Sequence, residues 1–224
     1  MGLHRSVDDV VQHSMAEHPR FGSVGRLLPG MEAGIAADGE LLLKGPNIFQ
    51  GYHGNAEAWF GAVVDGWLHT GDLARIDEDG FVYLTGRKKD IIITAGGKNL
   101  TPANLENDLK QSRWISQAVM HGDRRPYPVA LITLDPEEIP HFAKEHGLPE
   151  DLPSLAKEPK VIELIQGELD KVNSRYAQVE RIKKFVILDH DLSQETGELT
   201  PTLKVKRNVV NEKYADLIES LYSS

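Results

Sequence analysis

The stretch from Gly66 to Lys98 constrains the fold more than any other part of the chain. One Asp-Gly turn signal, Asp65-Gly66, leads into it and a second, Asp79-Gly80, lies within it. Two apolar runs, Phe81-Val82-Tyr83-Leu84 and Ile91-Ile92-Ile93, flank the charged tetrad Arg87-Lys88-Lys89-Asp90, and the pair Gly96-Gly97 follows. Asp-Gly between β-forming runs is a strong short-range hairpin signal. A cationic tetrad between two strands is harder to explain by folding alone. Hinges, phosphate sites and ribose sites are the usual reasons for one.

The two sides of this stretch differ in pattern. Residues 1–20 are polar and mixed and read as a frayed leader, with a short helix within the chain's reach at Val7–His18. Residues 21–86 are rich in glycine and short apolar runs. Ala33–Ala37 and Glu40–Lys44 should pair across Asp38-Gly39, and Ala74–Asp77 and Phe81–Leu84 across Glu78-Asp79-Gly80, while Asn55–Phe60 has helical character. Short strands with turns about every ten residues suggest a small barrel or open sheet.

Residues 87–224 alternate strands and helices, with strands expected at Ile91–Thr94, Ile115–His121, Val129–Leu134 and Phe185–Leu188. Pro102 can open a helix at the position where its missing N–H costs nothing. A second helix runs from Pro136-Glu137-Glu138 to Gly147. A third begins at Pro159, with Val161, Ile165, Leu169, Val172 and Tyr176 on one face. A last helix should carry Val210, Tyr214, Leu217 and Leu221 on one stripe. The fold class is α+β: a small β-rich, barrel-like subdomain followed by a compact α+β domain. The boundary falls near Arg87–Asp90.

Composition sets limits on function. The 224 residues carry a net charge of −9, which argues against general nucleic-acid binding and makes Arg87-Lys88-Lys89 and Lys204-Val205-Lys206-Arg207 local features. No cysteine is present, so disulfides, thiol catalysis and Cys-ligated zinc are excluded, and a cytoplasmic setting is permitted. No apolar run approaches the ~18 residues of a membrane span, although peripheral membrane contact stays open. Neither GxSxG nor HExxH occurs, and the histidines form no metal-ligand spacing.

Read as residues alone, the candidate positions have ordinary uses. Asp72, in His69-Thr70-Gly71-Asp72, can close a turn or grip vicinal hydroxyls. Lys89 can be a solvated linker residue or sit at a hinge, and Gly96-Gly97 can be a loop or bulge pair. Lys204, after the polar run Gln194-Glu195-Thr196-Gly197-Glu198, can be a surface lysine ahead of a helix.

Four motifs in order change that balance: Thr70-Gly71-Asp72, Gly86-Arg87-Lys88-Lys89-Asp90, Gly96-Gly97-Lys98-Asn99 through Pro102 to Glu106, and Thr200-Pro201-Thr202-Leu203-Lys204. Together they resemble the adenylate-forming acyl-CoA synthetases, in their long-chain fatty acid–CoA ligase branch. The resemblance implies that Asp72 and Arg87 bind the ribose of ATP or AMP. It implies that Lys89 is the hinge of a mobile C-terminal domain and that Gly96 and Gly97 line the coenzyme A tunnel. Lys204 would be the catalytic lysine, with Leu203 standing where many relatives have glycine.

It further implies that residues 21–86 are the β-rich end of a larger N-terminal domain. The family's phosphate-binding loop and its adenine- and magnesium-binding segment have no counterpart in these residues. The chain is therefore expected to be the C-terminal part of a ligase using ATP, Mg2+ and coenzyme A on a fatty acid, inactive by itself. A freestanding nucleotide- or coenzyme A-binding regulatory module, and an adenylation domain acting on another carboxylic acid, are the alternatives.

Overall fold

The computed structural model describes residues 11–12, 20–51, 53 and 60–223. The chain divides into two compact units, the first ending at Asp90 and the second spanning Ile91–Ser224. The proposed helix at Asn55–Phe60 lies outside the described residues except for Phe60. Of the leader, Val11–Gln12 form an edge strand rather than part of a helix.

The first unit is built from β1 (Val11–Gln12), β2 (Gly25–Leu27), β3 (Glu32–Ile35), β4 (Glu40–Lys44), β5 (Val63–Val64), β6 (Trp67–Ile76) and β7 (Phe81–Arg87). They form one antiparallel sheet ordered β1-β2-β7-β6-β4-β3, with β5 paired to β6. Both expected hairpins are present, and the β6–β7 hairpin is longer than the apolar runs suggested. Met31, Leu41, Leu43, Ala74 and Val82 form the core, covered by Val24, Leu27, Leu28, Ala33 and Ile48. A single 3-10 turn, Lys88–Asp90, ends the unit.

The second unit starts with a small hairpin of β8 (Ile92–Ile93) and β9 (Asn99–Leu100), joined through Gly96-Gly97. The expected strand Ile91–Thr94 shrinks to two residues because Thr94 and Ala95 already belong to the turn: Thr94 N–H donates to Lys98 O and Ala95 N–H to Arg125 O. Its main sheet is β10 (Ile115–His121), β11 (Val129–Leu134) and β12 (Lys184–Ile187), antiparallel then parallel. The parallel pair needs a long crossover. Three helices supply it: Ile139–His146, Leu152–Leu155 and Pro159–Asn173.

All six residues of β11 are buried, because both faces of the sheet are covered. Alternation divides them between two cores. Ala130, Ile132 and Leu134 pack with the Pro102–Leu109 helix and the crossover helices, including Leu105, Leu109, Val161, Ile165 and Leu169. Val129 and Leu131 face the other way, onto Leu188, Leu192, Leu199, Val210, Tyr214 and Ile218. Burying one such aliphatic side chain contributes about 1.5–3 kcal/mol, so these two layers dominate the stability of the unit.

The last helix departs from expectation. It is two pieces, Arg207–Lys213 and Ala215–Ser220, broken at Tyr214, whose φ of −109° and ψ of 22° are not helical. The break rotates the second piece, so that Ile218 is buried and Leu217 is 40% exposed.

Candidate functional site

In the first unit, Asp72 on β6 lies opposite Arg87 on β7. Directly opposed residues in an antiparallel pair project to the same face. Arg87 Nε accordingly donates to Asp72 Oδ1 at 2.8 Å, with the carboxylate 12% exposed and the guanidinium half-exposed. Gly71 sits at φ +72°, a conformation costly for any residue with a Cβ, and this lets the strand turn Asp72 inward. Thr70 Oγ1 donates to Leu41 O at 2.8 Å and accepts from Asp72 N–H at 3.1 Å.

The residue that organises this turn is Glu40, which no motif singled out. It is almost fully buried. Glu40 Oε1 accepts from Gly71 N–H at 2.8 Å, and Oε2 meets His69 Nδ1 at 3.0 Å and Lys88 Nζ at 2.9 Å. Burial pushes the Glu40 carboxyl up, but the bonds from Lys88, His69 and Gly71 outweigh it and hold the group below its ordinary range. Lys88 also reaches Asp38 Oδ2 at 2.7 Å, and the bonds to Asp38 and Glu40 push its ammonium up. The chain is thus pinned to the β-sheet up to Lys88. Lys89 follows within the 3-10 turn and is exposed.

In the second unit, Gly96-Gly97 forms the tip between β8 and β9. Gly97 has φ +74° and donates its N–H to Thr94 O at 2.8 Å. A Cβ on Gly96 would meet only Thr94 Oγ1, at 3.9 Å, so among the described residues nothing demands glycine there.

Lys204 closes a tight hairpin, whose flanking residues Leu199 and Val205 pair as an isolated bridge. Thr200 N–H donates to Lys204 O at 2.8 Å, Lys204 N–H to Thr200 Oγ1 at 3.0 Å, and Leu203 N–H to Thr200 O at 2.9 Å. These bonds hold the backbone, while the Lys204 side chain is exposed and makes no ion pair among the described residues. Leu203 stands at φ +58° and is 62% exposed, so it holds a left-handed conformation without packing in return. That conformation costs a residue bearing a Cβ roughly 1–2 kcal/mol, against about 0.4–1 kcal/mol for the extra unfolded-chain freedom of glycine. Leu203→Gly is therefore expected to raise stability by up to about 1 kcal/mol in urea unfolding.

The hairpin is rooted by a second carboxylate that pattern reading passed over. Glu198 is fully buried and accepts from Lys213 Nζ at 2.6 Å, Tyr214 Oη at 2.8 Å, Ser193 N–H at 3.2 Å and Thr196 Oγ1. Its backbone carbonyl takes Lys206 N–H at 2.7 Å. The structure thus joins Asp72 to Arg87 within one unit, and sets Gly96, Gly97 and Lys204 on two loops of the other. Among the described residues no group of three or more His, Asp or Glu is placed to hold a metal ion.

Comparison with known proteins follows the same outline. The model for the AMP-binding enzyme C-terminal domain matches residues 89–224. The long-chain-fatty-acid–CoA ligase FadD15 of Mycobacterium tuberculosis is 47% identical over 206 residues, covering 91% of this chain and 34% of the ligase. The adenylation domain of a carboxylate reductase from Mycobacterium chelonae shares the fold, with a TM-score of 0.73 at 20% identity over 89% of this chain and 32% of that one. The O-succinylbenzoate coenzyme A synthetase of Bacillus subtilis, solved in complex with ATP and a magnesium ion, gives a TM-score of 0.59 at 27% identity over 84% and 35%. The chain spans about a third of the length of these relatives. It belongs to the AMP-binding enzyme C-terminal domain family, and its curated relatives are long-chain fatty-acid–CoA ligases.

Proposed function

We propose that this chain is the C-terminal part of an ATP-dependent, cytoplasmic long-chain fatty acid–CoA ligase. The observation that carries the reading is Lys204: an ammonium with no ion-pair partner among the described residues, on a hairpin whose backbone is held by its own hydrogen bonds. In the first half-reaction the fatty acid carboxylate attacks the α-phosphorus of ATP. One carboxylate oxygen bonds to phosphorus, and the bond to pyrophosphate breaks. Lys204 lies beside the carboxylate and α-phosphate and stabilises the charge that builds there. A pre-positioned cation does this without reorganising at the moment of reaction.

Asp72 accepts hydrogen bonds from the two ribose hydroxyls, and Arg87 fixes the orientation of its carboxylate. The second unit then rotates about Lys89. Pinning of Lys88 by Asp38 and Glu40 supports a hinge at the next residue, since a few residues between folded units can absorb such a change. In the second half-reaction the coenzyme A thiol attacks the acyl carbonyl, the thioester forms, and AMP leaves. Gly96 and Gly97 line the path of the pantetheine arm. That nothing in its own unit requires glycine at Gly96 supports a use outside that unit.

The test is ATP–pyrophosphate exchange with palmitate. The chain alone should give none. A ligase carrying it in frame should give exchange, and thioester once coenzyme A is added. Robust turnover by the chain alone, or none by the in-frame ligase, would refute the reading.

A further inference from the structure

Glu106 ends the segment that begins at Gly96-Gly97, yet the proposed chemistry gives it no task. The structure places it in a polar link between three elements. Arg207 Nη2 donates to Glu106 Oε1 and Oε2, both at 2.9 Å, and Arg207 Nη1 to Met120 O at 2.8 Å. Met120 N–H donates to Glu106 Oε1 at 2.6 Å. The two side chains are largely buried, 12% exposed for Glu106 and 23% for Arg207. Charge-assisted contacts from a guanidinium fork are stronger and more directional than neutral ones.

We propose that the Glu106–Arg207 pair is a strut that makes the Lys204 hairpin and the Gly96-Gly97 loop move as one body. Both are positioning residues in this role, and the catalytic meaning of the strut rests on the functional reading above. Glu106 lies on the Pro102–Leu109 helix, which begins just after β9, the second strand of the Gly96-Gly97 hairpin. Arg207 is the first residue of its helix, three residues past Lys204. Arg207 passes a displacement to its hairpin within three residues, and Glu106 passes one through the start of its helix and β9 to the Gly96-Gly97 tip.

Apolar packing holds the Lys204 hairpin only at its base, where Leu199 and Val205 join the second core, and leaves the tip unsupported. Leu199 is its one fully packed apolar residue, and Pro201, Thr202, Leu203 and Lys204 are all exposed. The body of the unit, by contrast, rests on two apolar layers that never involve the Glu106–Arg207 pair. Losing the strut should therefore loosen the hairpin and leave the sheet standing. If the two half-reactions need the two loops in turn, a rigid link between them ensures that presenting one withdraws the other.

The decisive substitution is Glu106→Gln, which keeps an acceptor for Met120 N–H but removes the charge facing Arg207. In the 224-residue chain, hydrogen exchange at Thr200, Leu203 and Lys204 is expected to quicken about tenfold, as for loss of a hydrogen bond to a charged group, while Leu131 and Ile132 keep their rates. Arg207→Lys, which keeps the charge and loses the fork, should give a smaller acceleration at the same amides and serves if the first variant does not fold.

In the in-frame ligase, Glu106→Gln is expected to lower kcat of adenylation and of thioester formation alike, with KM for ATP unchanged. Unaltered exchange at residues 200–204 in both variants overturns the strut. So does acceleration spread evenly over the unit, which is mere destabilisation, or loss of only one half-reaction. If Lys204→Ala leaves adenylation intact, the functional reading falls, and the exchange pattern still judges the strut by itself.

Discussion

Replacing Lys204 with alanine is expected to slow adenylate formation by about 10²- to 10³-fold, the usual cost of removing one pre-positioned group that stabilises transition-state charge. The fold should not change. The hairpin is held through the backbone of Lys204 and the hydroxyl of Thr200, neither of which the substitution touches. The exposed ammonium has no ion pair to lose among the described residues. The measurement is ATP–pyrophosphate exchange by the ligase carrying this chain in frame, with thermal unfolding alongside. Thioester formation from a supplied acyl-adenylate should stay near the unaltered rate, because Lys204 serves the first half-reaction. Lys206→Ala is the control: its side chain is exposed, and its anchoring bond to Glu198 O is made by the backbone. An unchanged exchange rate for Lys204→Ala would refute the assignment.

What could be read in advance followed how local the physics is. β10 and β11 were legible to the residue, because β11 is an almost wholly apolar run and β10 carries the apolar stretch Ala118-Val119-Met120, each lying close to turn residues. Of the five positions expected on one face of the helix from Pro159, Val161, Ile165, Leu169 and Val172 are buried, as their spacing implies, while Tyr176 falls beyond the helix end at Asn173. The final helix failed because its stripe was extrapolated through Tyr214. That residue leaves helical geometry while its hydroxyl meets Glu198 and His190, which no periodicity reveals.

The candidate site divides in the same way. Asp72, Arg87, Gly96, Gly97 and Lys204 lie in short motifs with characteristic neighbours. Of the groups that hold those motifs, Glu106 ends one of them, while Glu40 and Glu198 stand in none. Glu40 meets Gly71 across 31 residues, Glu198 meets Lys213 across 15, and Glu106 meets Arg207 across 101. Glu198 also sits in a polar run where each neighbour looks equally suited to solvent. Such pairings are set by tertiary proximity, and a single sequence carries no mark of which residue each carboxylate will meet.

The second large effect is expected at Glu198. Removing one partner of a buried ion pair strands the other, at about 3–5 kcal/mol. Lys213 is 39% exposed and can regain water, so Glu198→Ala should destabilise the second unit by about 3 kcal/mol, the low end of that range. Burial alone would raise the carboxyl. The bonds from Lys213, Thr196, Tyr214 and Ser193 win, and they lower it from an ordinary 4.5 to about 2. A carboxyl depressed on folding stabilises the protein fully above its unfolded value, and loses that contribution as pH falls toward its folded value. Glu198 should therefore contribute about 3 kcal/mol above pH ~4.5, fading between there and pH ~2. Urea unfolding of the chain and of Glu198→Gln across this window isolates the group, since the other depressed carboxyls, Asp38, Glu40, Asp77, Asp151 and Asp189, act equally in both. The two stability curves should lie apart near neutrality and converge in acid. Parallel curves would mean that the charge on Glu198 does not hold the root of the Lys204 hairpin.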